Sequence, residues 1–319
     1  MRKISIPINE HKGTRLDVYL QDDSQEMADF IPRPMVLVLP GGGYDFTSDR
    51  EADPIAFQFM AAGYHAAVLR YTVGDYKDFD AAFADGQFAI QQLVSHAAEW
   101  SIDQERIAFI GFSAGGHLAT SLTLLGDFKP AALLLGYPVI LQSFGTFMAI
   151  KAPDLIAAVK PGLPPTFIFT TFEDNLVPVE NSLIFAKALE EAEVPLELHV
   201  FQKGQHGLAL GNAVTANQQP GNLEPAFAKW VDLATDWLGQ RLAEIDQPQP
   251  AASSDPLDTP VRVLMADPQI KAAVLAAAPE LKDEHAYKIV RNMPVKEILR
   301  RRPALADNPL MVALLGGHQ

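Results

Sequence analysis

The sequence predicts an α/β protein: a mostly parallel central sheet with helices on both faces, followed by a small helical module. Short, continuously apolar runs such as Met35–Leu39 alternate with longer amphipathic stretches, as is typical of buried parallel strands and the helices that cover them. After Ile245 the composition changes to a stretch rich in proline, serine and aspartate. The 319 residues, 48% of them hydrophobic, suffice for one large core and a second small unit.

The predicted elements alternate along the chain. Two runs with period-2 alternation, Ile4–Ile8 and Leu16–Leu20, lie close together and predict an antiparallel edge of the sheet. Buried strands are predicted at Met35–Leu39, Ala66–Arg70, Ile107–Gly111, Ala131–Gly136, Thr166–Thr170 and Leu196–Phe201. Helices are predicted at Pro54–Ala62, Phe79–Trp100, Ala114–Leu125, Asn181–Ala192 and Glu224–Ile245. A sheet of this kind binds its ligand outside the carboxyl ends of the strands.

Composition divides the chain into a large α/β domain (1–245), a linker (246–260) and a small α-helical module (261–319). The linker reads DQPQPAASSDPLDTP and has almost nothing to bury. The module is dense in alanine and leucine and has the spacing of amphipathic helices. One interpretation is that this module serves docking or oligomerisation, and the chain could then form a homo-oligomer through it. The other is a segment that reaches over an active site.

Charge and composition indicate the kind of partner. Lysine and arginine total 25 against 39 acidic residues, a net charge of −14, which argues against nucleic acid or an anionic membrane as a partner and favours a small, weakly charged molecule. The chain has no cysteine, so disulfides and thiolate chemistry are excluded. The first residues, MRKISIPINE, alternate like a strand rather than a signal peptide, and we expect a cytoplasmic protein.

A serine between glycines lies where a predicted strand gives way to a predicted helix. Residues 111–115 read GFSAG, the pattern of a nucleophile elbow in its required context. Small neighbours on both sides allow the strained turn that exposes such a serine. Ser113 is therefore the candidate nucleophile. The alternative is a plain turn in which Ser113 only caps the helix.

Three consecutive glycines follow the strand Met35–Leu39, in the run PGGGY. Glycines let backbone N–H groups face a cavity without side chains in between. In acyl transfer, one such N–H acts together with the N–H of the residue after the nucleophile, here Ala114, to form an oxyanion hole. Gly42 is the preferred donor and Gly43 the next. The alternative is a tight turn without a catalytic role.

An acid and a base are expected after the serine, in that order. Asp174 lies in DNLVP, in the loop after a late predicted strand, and the pattern D-x-x-V-P favours it over the neighbouring Glu173. His206 lies in the loop after the last predicted strand, in GQHG, where its ring can reach the serine. These residues are the candidate acid and base. His117, one turn into the helix after the serine, is predicted to pack or to form a hydrogen bond.

Five ordered motifs together resemble the α/β-hydrolase superfamily: PGGGY, GFSAGGHLAT, LLLGYPVI, DNLVPVENS and GQHGL. Over roughly residues 35–241 the chain is similar to small bacterial esterases related to acetyl-xylan esterases and to feruloyl-esterase-like proteins. The resemblance implies an α/β-hydrolase fold and a site without cofactor or metal. The residues that it implies are the triad Ser113, Asp174 and His206, with oxyanion amides from Gly41–Gly43 and Ala114. Pro40 stands where many relatives have histidine, which leaves the backbone donors available.

The predicted reaction is hydrolysis of short-acyl esters through an acyl-enzyme on Ser113, and the resemblance suggests acetyl esters of sugars or xylo-oligosaccharides. Tyr44 and Tyr137 are candidate substrate contacts, with a place in the core as the alternative. Residues 137–165 are either a cap over the site or a helix packed on the sheet. Two other functions stay open: a serine peptidase of the prolyl-oligopeptidase type, which is expected to carry a long N-terminal propeller, and a non-catalytic binding protein.

Overall fold

The structure is a computed structural model that describes residues 1–26, 31–246 and 255–303. The chain divides into two units, with the boundary after Asp246. Residues 247–254 of the predicted linker and residues 304–319 of the predicted module lie outside the described residues.

One sheet of eight strands runs through the first unit. In chain order the strands are β1 (Arg2–Asn9), β2 (Thr14–Leu20), β3 (Arg33–Leu39), β4 (His65–Arg70), β5 (Ile102–Phe112), β6 (Ala132–Gly136), β7 (Thr166–Thr171) and β8 (Leu196–Phe201). Their order across the sheet is β1-β2-β4-β3-β5-β6-β7-β8. β2 is antiparallel to both β1 and β4, and the other neighbours are parallel. The predicted antiparallel edge and mostly parallel sheet are confirmed.

Helices cover both faces of this sheet. They are α1 (Asp53–Ala61), α2 (Phe79–Ser95), α3 (Ala114–Leu125), α4 (Ser143–Phe147), α5 (Glu180–Glu191), α6 (Pro225–Ala228) and α7 (Trp230–Ala243). Alternate residues of β3 reach the two faces, because side chains of a strand point to opposite sides in turn. Leu37 and Leu39 pack in the core that includes residues of α2, α3 and α5. Val36 and Val38 pack in the core that includes residues of α1 and α7. The predicted α/β fold is confirmed.

Two predicted helices differ from the observed ones. The helix expected over Phe79–Trp100 ends at Ser95, because the chain turns there and buries Trp100, which is 4% exposed. The ring of His96 stacks on the Trp100 indole with a centroid separation of 4.4 Å. The helix expected over Glu224–Ile245 is interrupted at Lys229, which ends α6 and precedes α7.

The parallel strands end at one edge of the sheet, and this edge positions the site. The last residue of β3, Leu39, is in register with Gly111 near the end of β5, and Thr171 of β7 is in register with Phe201 of β8. The loops that follow β3, β5, β7 and β8 therefore begin at the same edge. These are the loops in which the sequence places the candidate site residues.

The second unit is helical in its described part. Its helices are α8 (Val261–Leu264), α9 (Pro268–Ala277), α10 (Glu284–Val290) and α11 (Val295–Arg301). The carboxylates of Asp267 and Asp283 accept hydrogen bonds from the first backbone N–H groups of α9 and α10, which stabilises these helix starts. A small apolar cluster around Met265 holds the helices together. The predicted C-terminal helical region is confirmed. In residues 1–26, 31–246 and 255–303, no helix is long and apolar enough to cross a membrane.

Candidate active site

Ser113 lies between β5 and α3 in a strained backbone conformation, with φ of 51° and ψ of −120°. This region is unfavourable for a residue with a side chain, so neighbours must hold it. The Ser113 N–H donates to the Gly136 carbonyl at 3.0 Å, and its carbonyl accepts from the N–H of Val139 at 3.1 Å. At Gly115 a Cβ would stand 2.1 Å from the Leu39 carbonyl oxygen, so this turn requires glycine.

The structure brings together the three side chains that the sequence selects. His206 Nε2 lies 2.8 Å from Ser113 Oγ, and His206 Nδ1 lies 2.8 Å from Asp174 Oδ2. The three groups thus form a continuous chain of hydrogen bonds from acid to base to hydroxyl. In this geometry the imidazole can accept the hydroxyl proton while the carboxylate fixes the ring and its tautomer.

The loop that carries Asp174 holds the carboxylate and the base in place. Asp174 Oδ1 accepts hydrogen bonds from the N–H of Leu176 at 2.9 Å and of Val177 at 2.8 Å. The side chain of Asn175 accepts from the His206 N–H at 3.1 Å. Glu173 is exposed and takes no part in this chain of hydrogen bonds. Of the two competing carboxylates, Asp174 is therefore the one that meets the histidine.

The carbonyl groups of the glycine loop determine where its N–H groups point. The Gly41 carbonyl accepts from the N–H of Ser48 at 2.8 Å, and the Gly42 carbonyl accepts from the N–H of Asp45 at 2.9 Å. In a trans peptide the N–H points opposite to the carbonyl. The N–H groups of Gly42 and Gly43 therefore point away from this turn. Both residues line the same cavity as the serine.

Three backbone N–H groups are available near the serine hydroxyl. Among the described residues, none accepts a hydrogen bond from the N–H of Gly42, Gly43 or Ala114. Ala114 is the first residue of α3, where the N–H groups lack helical partners and the helix dipole favours negative charge. The N–H of Gly41, in contrast, donates to Glu51 and is not available. The arrangement can thus offer donors to an oxyanion.

The site opens into a cavity of about 370 Å³ beside Ser113 and His206. Apolar side chains on its wall are Phe46, Phe144, Phe147, Met148 and Leu176. Polar and charged residues of the lining include Asp45, Ser48, Arg50, Glu51 and Lys77. Lys77 Nζ lies 2.8 Å from Asp45 Oδ1, so these two charges form an ion pair at the cavity.

The segment between β6 and β7 covers part of this cavity. Its Phe144, Phe147 and Met148 line the cavity, and Phe147 is 74% exposed. Phe144 and Met148 also pack against the core of the sheet. Both interpretations of residues 137–165 therefore apply, since the same short helix packs on the sheet and forms a wall of the site.

Tyr44 and Tyr137, the candidate substrate contacts, lie in the core and not on the wall of the cavity. Both are buried, at 0% and 1% exposed, and neither lines the cavity. The Tyr44 hydroxyl lies 2.9 Å from Nδ1 of His117. The Tyr137 hydroxyl donates to Glu51 Oε1 at 2.6 Å and accepts from the N–H of Ala209 at 3.0 Å. Their aromatic rings fill the core, which was the alternative interpretation of both residues.

Burial also determines the protonation of two groups behind the site. Burial, with the Glu51 carboxylate as a second cause, raises the pKa of Tyr137 well above its usual value, so its hydroxyl stays a donor. Burial lowers the pKa of His117 from 6.5 to about 4, so this imidazole is neutral near pH 7. The predicted hydrogen-bonding role of His117 agrees with its contact to Tyr44. Among the described residues, no cluster of three histidine, aspartate or glutamate side chains could hold a metal.

Sequence reasoning missed Glu51. Its side chain is 3% exposed and accepts from both the Gly41 N–H and the Tyr137 hydroxyl. In the sequence it stands in SDREAD, a polar stretch like many surface turns. Arg50, which lines the cavity and donates to the Thr215 carbonyl at 3.3 Å, was missed for the same reason.

The elbow, the acid and the base follow one another along the chain, and across the sheet, in the order found in α/β-hydrolases. Two family models match. The BD-FAE model matches residues 16–137, which include Ser113. The prolyl oligopeptidase family model matches residues 144–224, which include Asp174 and His206.

A solved α/β-hydrolase enzyme from a Medee basin deep-sea metagenome library, MGS-M1, is 41% identical with a TM-score of 0.70. The match covers 76% of this chain and 98% of that one. Endo-1,4-beta-xylanase B of Butyrivibrio fibrisolvens is 33% identical over 62% of this chain and 35% of its own length. Acetylxylan esterase of Xylanibacter ruminicola is 25% identical over 65% of this chain and 49% of its own length. The chain belongs to the α/β-hydrolase esterase family. It spans between a third and a half of the length of these two curated relatives.

Proposed function

We propose that the protein is a serine carboxylesterase that hydrolyses short-acyl esters, in particular acetyl esters of sugars or xylo-oligosaccharides. The observation that carries this proposal is the chain of two 2.8 Å contacts from Asp174 through His206 to Ser113, together with the N–H groups of Gly42, Gly43 and Ala114, which have no acceptor in the described part of the chain. Together these groups supply a nucleophile, a base, an orienting acid and an oxyanion site, which are the requirements of acyl transfer.

In the first half-reaction His206 Nε2 takes the proton of Ser113 as Oγ attacks the ester carbonyl carbon. The carbonyl oxygen becomes an oxyanion, and the N–H groups of Ala114 and of Gly42 or Gly43 stabilise it. Asp174 stabilises the imidazolium that forms. The tetrahedral intermediate then expels the alcohol, which leaves with the proton from His206, and the acyl group remains on Ser113.

In the second half-reaction water replaces the alcohol. His206 takes a proton from the water, whose oxygen attacks the acyl carbon, and the same N–H groups stabilise the second oxyanion. Collapse of this intermediate returns the proton to Ser113 Oγ and releases the carboxylic acid. The side chains are then in their starting protonation states.

The cavity supports a small substrate. A volume of about 370 Å³ lies near the lower end of the range for small-molecule sites, about 300 to 1,000 Å³. Phe144, Phe147 and Met148 offer apolar surface to an acyl group. The restriction to acetyl groups and to sugar or xylan-derived alcohols is supported only by the similarity to the acetylxylan esterase and to the xylanase.

A serine peptidase is the second candidate, because the prolyl oligopeptidase family model matches the segment with the acid and the base. Elbow and triad chemistry serves amide and ester substrates alike. The esterase is preferred because the acetylxylan esterase is 25% identical over 65% of this chain, whereas the peptidase family model matches residues 144–224.

A substrate panel tests the proposal and its alternative. The purified protein is assayed with p-nitrophenyl esters of increasing acyl length, with acetylated xylan and with a peptide anilide. We expect the highest kcat/KM for the acetyl ester and release of acetate from the xylan. Turnover of the anilide without turnover of any ester would refute the esterase and favour the peptidase.

Ser113→Ala tests the nucleophile, and we expect its turnover to fall by about 10⁶-fold, as for loss of a triad member in subtilisin. Ser121→Ala is the matched control, since it removes another buried serine hydroxyl, which donates to the His117 carbonyl at 2.8 Å within α3. The control should keep the wild-type rate. Wild-type turnover by a folded Ser113→Ala variant would show that the elbow is not the catalytic site.

We also propose that the second unit mediates docking or assembly of the chain, as its composition suggests. Gel filtration of the full chain and of a variant that ends at Asp246 measures this role. A change of oligomeric state on truncation is expected. An unchanged oligomeric state together with altered ester selectivity would instead support a segment that reaches over the active site.

A further inference from the structure

A buried carboxylate joins the glycine loop to the core behind it. Glu51 is 3% exposed, and each of its oxygens has one donor. Oε2 accepts from the N–H of Gly41 at 2.9 Å, and Oε1 accepts from the hydroxyl of Tyr137 at 2.6 Å. No ion pair among the described residues includes Glu51. The two donors therefore satisfy both oxygens of this buried side chain.

The first of these contacts fixes the start of the oxyanion loop. A Cβ on Gly41 would stand 2.7 Å from Glu51 Oε2 and 2.9 Å from Ser113 Cβ, so the Gly41 backbone lies between the carboxylate and the serine. Gly41 directly precedes Gly42, whose N–H is the preferred oxyanion donor. The peptide that carries this donor is held by the Ser48 N–H, which donates to the Gly41 carbonyl at 2.8 Å, and the Glu51 contact holds the peptide before it, so both sides of Gly41 are fixed.

The second contact, between Glu51 and Tyr137, connects Glu51 to the loop that carries His206. The Tyr137 hydroxyl accepts from the N–H of Ala209, three residues after His206. The Tyr137 ring also meets the His206 imidazole edge to face, with a centroid separation of 5.0 Å. Glu51 is therefore connected through one tyrosine to the segment that places the imidazole over the serine.

Only a carboxylate satisfies both donors at this position. The Gly41 N–H and the Tyr137 O–H each need an acceptor, and a glutamine side chain has one acceptor oxygen where glutamate has two. We propose that Glu51 is a positioning residue that sets the glycine loop and the His206 loop in a common geometry for oxyanion stabilisation. This inference rests on the proposed esterase function.

Two substitutions of Glu51 separate its contacts. Glu51→Gln can keep the bond to Gly41 but presents an NH₂ group to Tyr137, whereas Glu51→Ala loses both contacts. Because a misplacement of about 1 Å costs about 100-fold in rate, we expect kcat to fall about 10-fold in Glu51→Gln and about 100-fold in Glu51→Ala. KM should change by less than about twofold, since the interaction acts in the transition state.

A trifluoromethyl ketone inhibitor provides the second readout, because its adduct with serine carries an oxyanion and resembles the transition state. Its affinity should fall by the same factor as kcat/KM in both variants. Tyr137→Phe, which leaves the Gly41 contact in place and removes the Ala209 contact, should lower kcat by about 10-fold through the same geometry.

Asp85→Ala is the matched control for Glu51→Ala; alanine is used because both donors of Asp85 meet Oδ2, and the single oxygen of asparagine could keep them. Asp85 is another buried carboxylate with two donors, the N–H of Thr72 at 2.7 Å and its hydroxyl at 2.6 Å, and neither donor belongs to the glycine loop. It should lower the melting temperature as the Glu51 variants do, with kcat and inhibitor affinity unchanged.

Wild-type kcat and inhibitor affinity in folded Glu51→Gln and Tyr137→Phe variants would overturn the inference. An equal loss of both in Asp85→Ala as in Glu51→Ala would overturn it as well, because the effect would then be one of stability. A wild-type protein without activity on any ester would instead refute the proposed function, so the two failures are distinguishable.

Discussion

Replacing Gly42 by alanine tests whether oxyanion stabilisation depends on the shape of the glycine loop. Gly42 has a φ of +130°, and a Cβ there would stand 2.0 Å from the carbonyl oxygen of Phe46. Carbon–oxygen contacts are ordinarily about 3.3 Å or longer, so the two groups must separate by about 1.3 Å. Because a misplacement of about 1 Å can cost about 100-fold in rate, and loss of an oxyanion donor costs about 100- to 1,000-fold, we expect kcat to fall at least 100-fold.

The assay compares kcat and KM for p-nitrophenyl acetate together with the melting temperature. Gly13→Ala is the control, since Gly13 has a φ of +68° but a Cβ there would meet no atom within 4 Å. It carries the strain of a left-handed alanine, about 1 kcal/mol or more, without the steric clash, and should keep the wild-type kcat. A folded Gly42→Ala variant with the wild-type kcat would refute the assignment of this loop to the oxyanion.

Three further predictions concern the acid, a tyrosine and pH. Asp174→Asn should lower kcat by about 10⁴-fold at neutral pH with the fold retained, because an amide favours the wrong tautomer of His206; a loss of less than tenfold would contradict its role. Tyr44→Phe should lower the free energy of unfolding by about 1 kcal/mol and leave KM unchanged, since Tyr44 hydrogen-bonds His117 outside the cavity; a raised KM would restore it as a substrate contact. Burial lowers the pKa of both His65, where the charge of Arg33 adds to the effect, and His117 from 6.5 to about 4. Below about pH 6.5 the unfolded chain therefore binds these protons before the folded one does, and stability falls as the pH drops toward 4. Each histidine should lower the free energy of unfolding by about 2 kcal/mol between about pH 7 and pH 5, which urea unfolding measures. If His117→Gln showed the same fall in stability between these pH values as the wild type, the contribution of His117 would be refuted.

The order of strands and helices could be predicted because a parallel sheet covered on both faces makes its strands continuously apolar. Met35–Leu39 and Leu196–Phe201 are found as expected, the first with a two-residue extension at its start. The end of α2 could not be predicted, because the residues up to Trp100 continue the helical spacing. Their place in the core depends on the turn at His96 and on the indole that packs there, which are properties of the tertiary structure.

The candidate site also has residues that could be predicted from the sequence and one that could not. Ser113 directly follows β5 within the run GFSAG, and His206 lies in the run GQHG of the loop after β8. This local pattern is enough to place both at the carboxyl edge of the sheet. Glu51 has no local pattern, since its two partners lie 10 and 86 residues away along the chain. A buried N–H or O–H without an acceptor costs about 1–3 kcal/mol, and that cost explains why this acid turns inward while Asp49, two residues earlier, is exposed. The reacting groups can thus be predicted from short motifs, whereas the position of Glu51, which holds the two loops in place, follows only from the hydrogen-bond requirements of the folded chain.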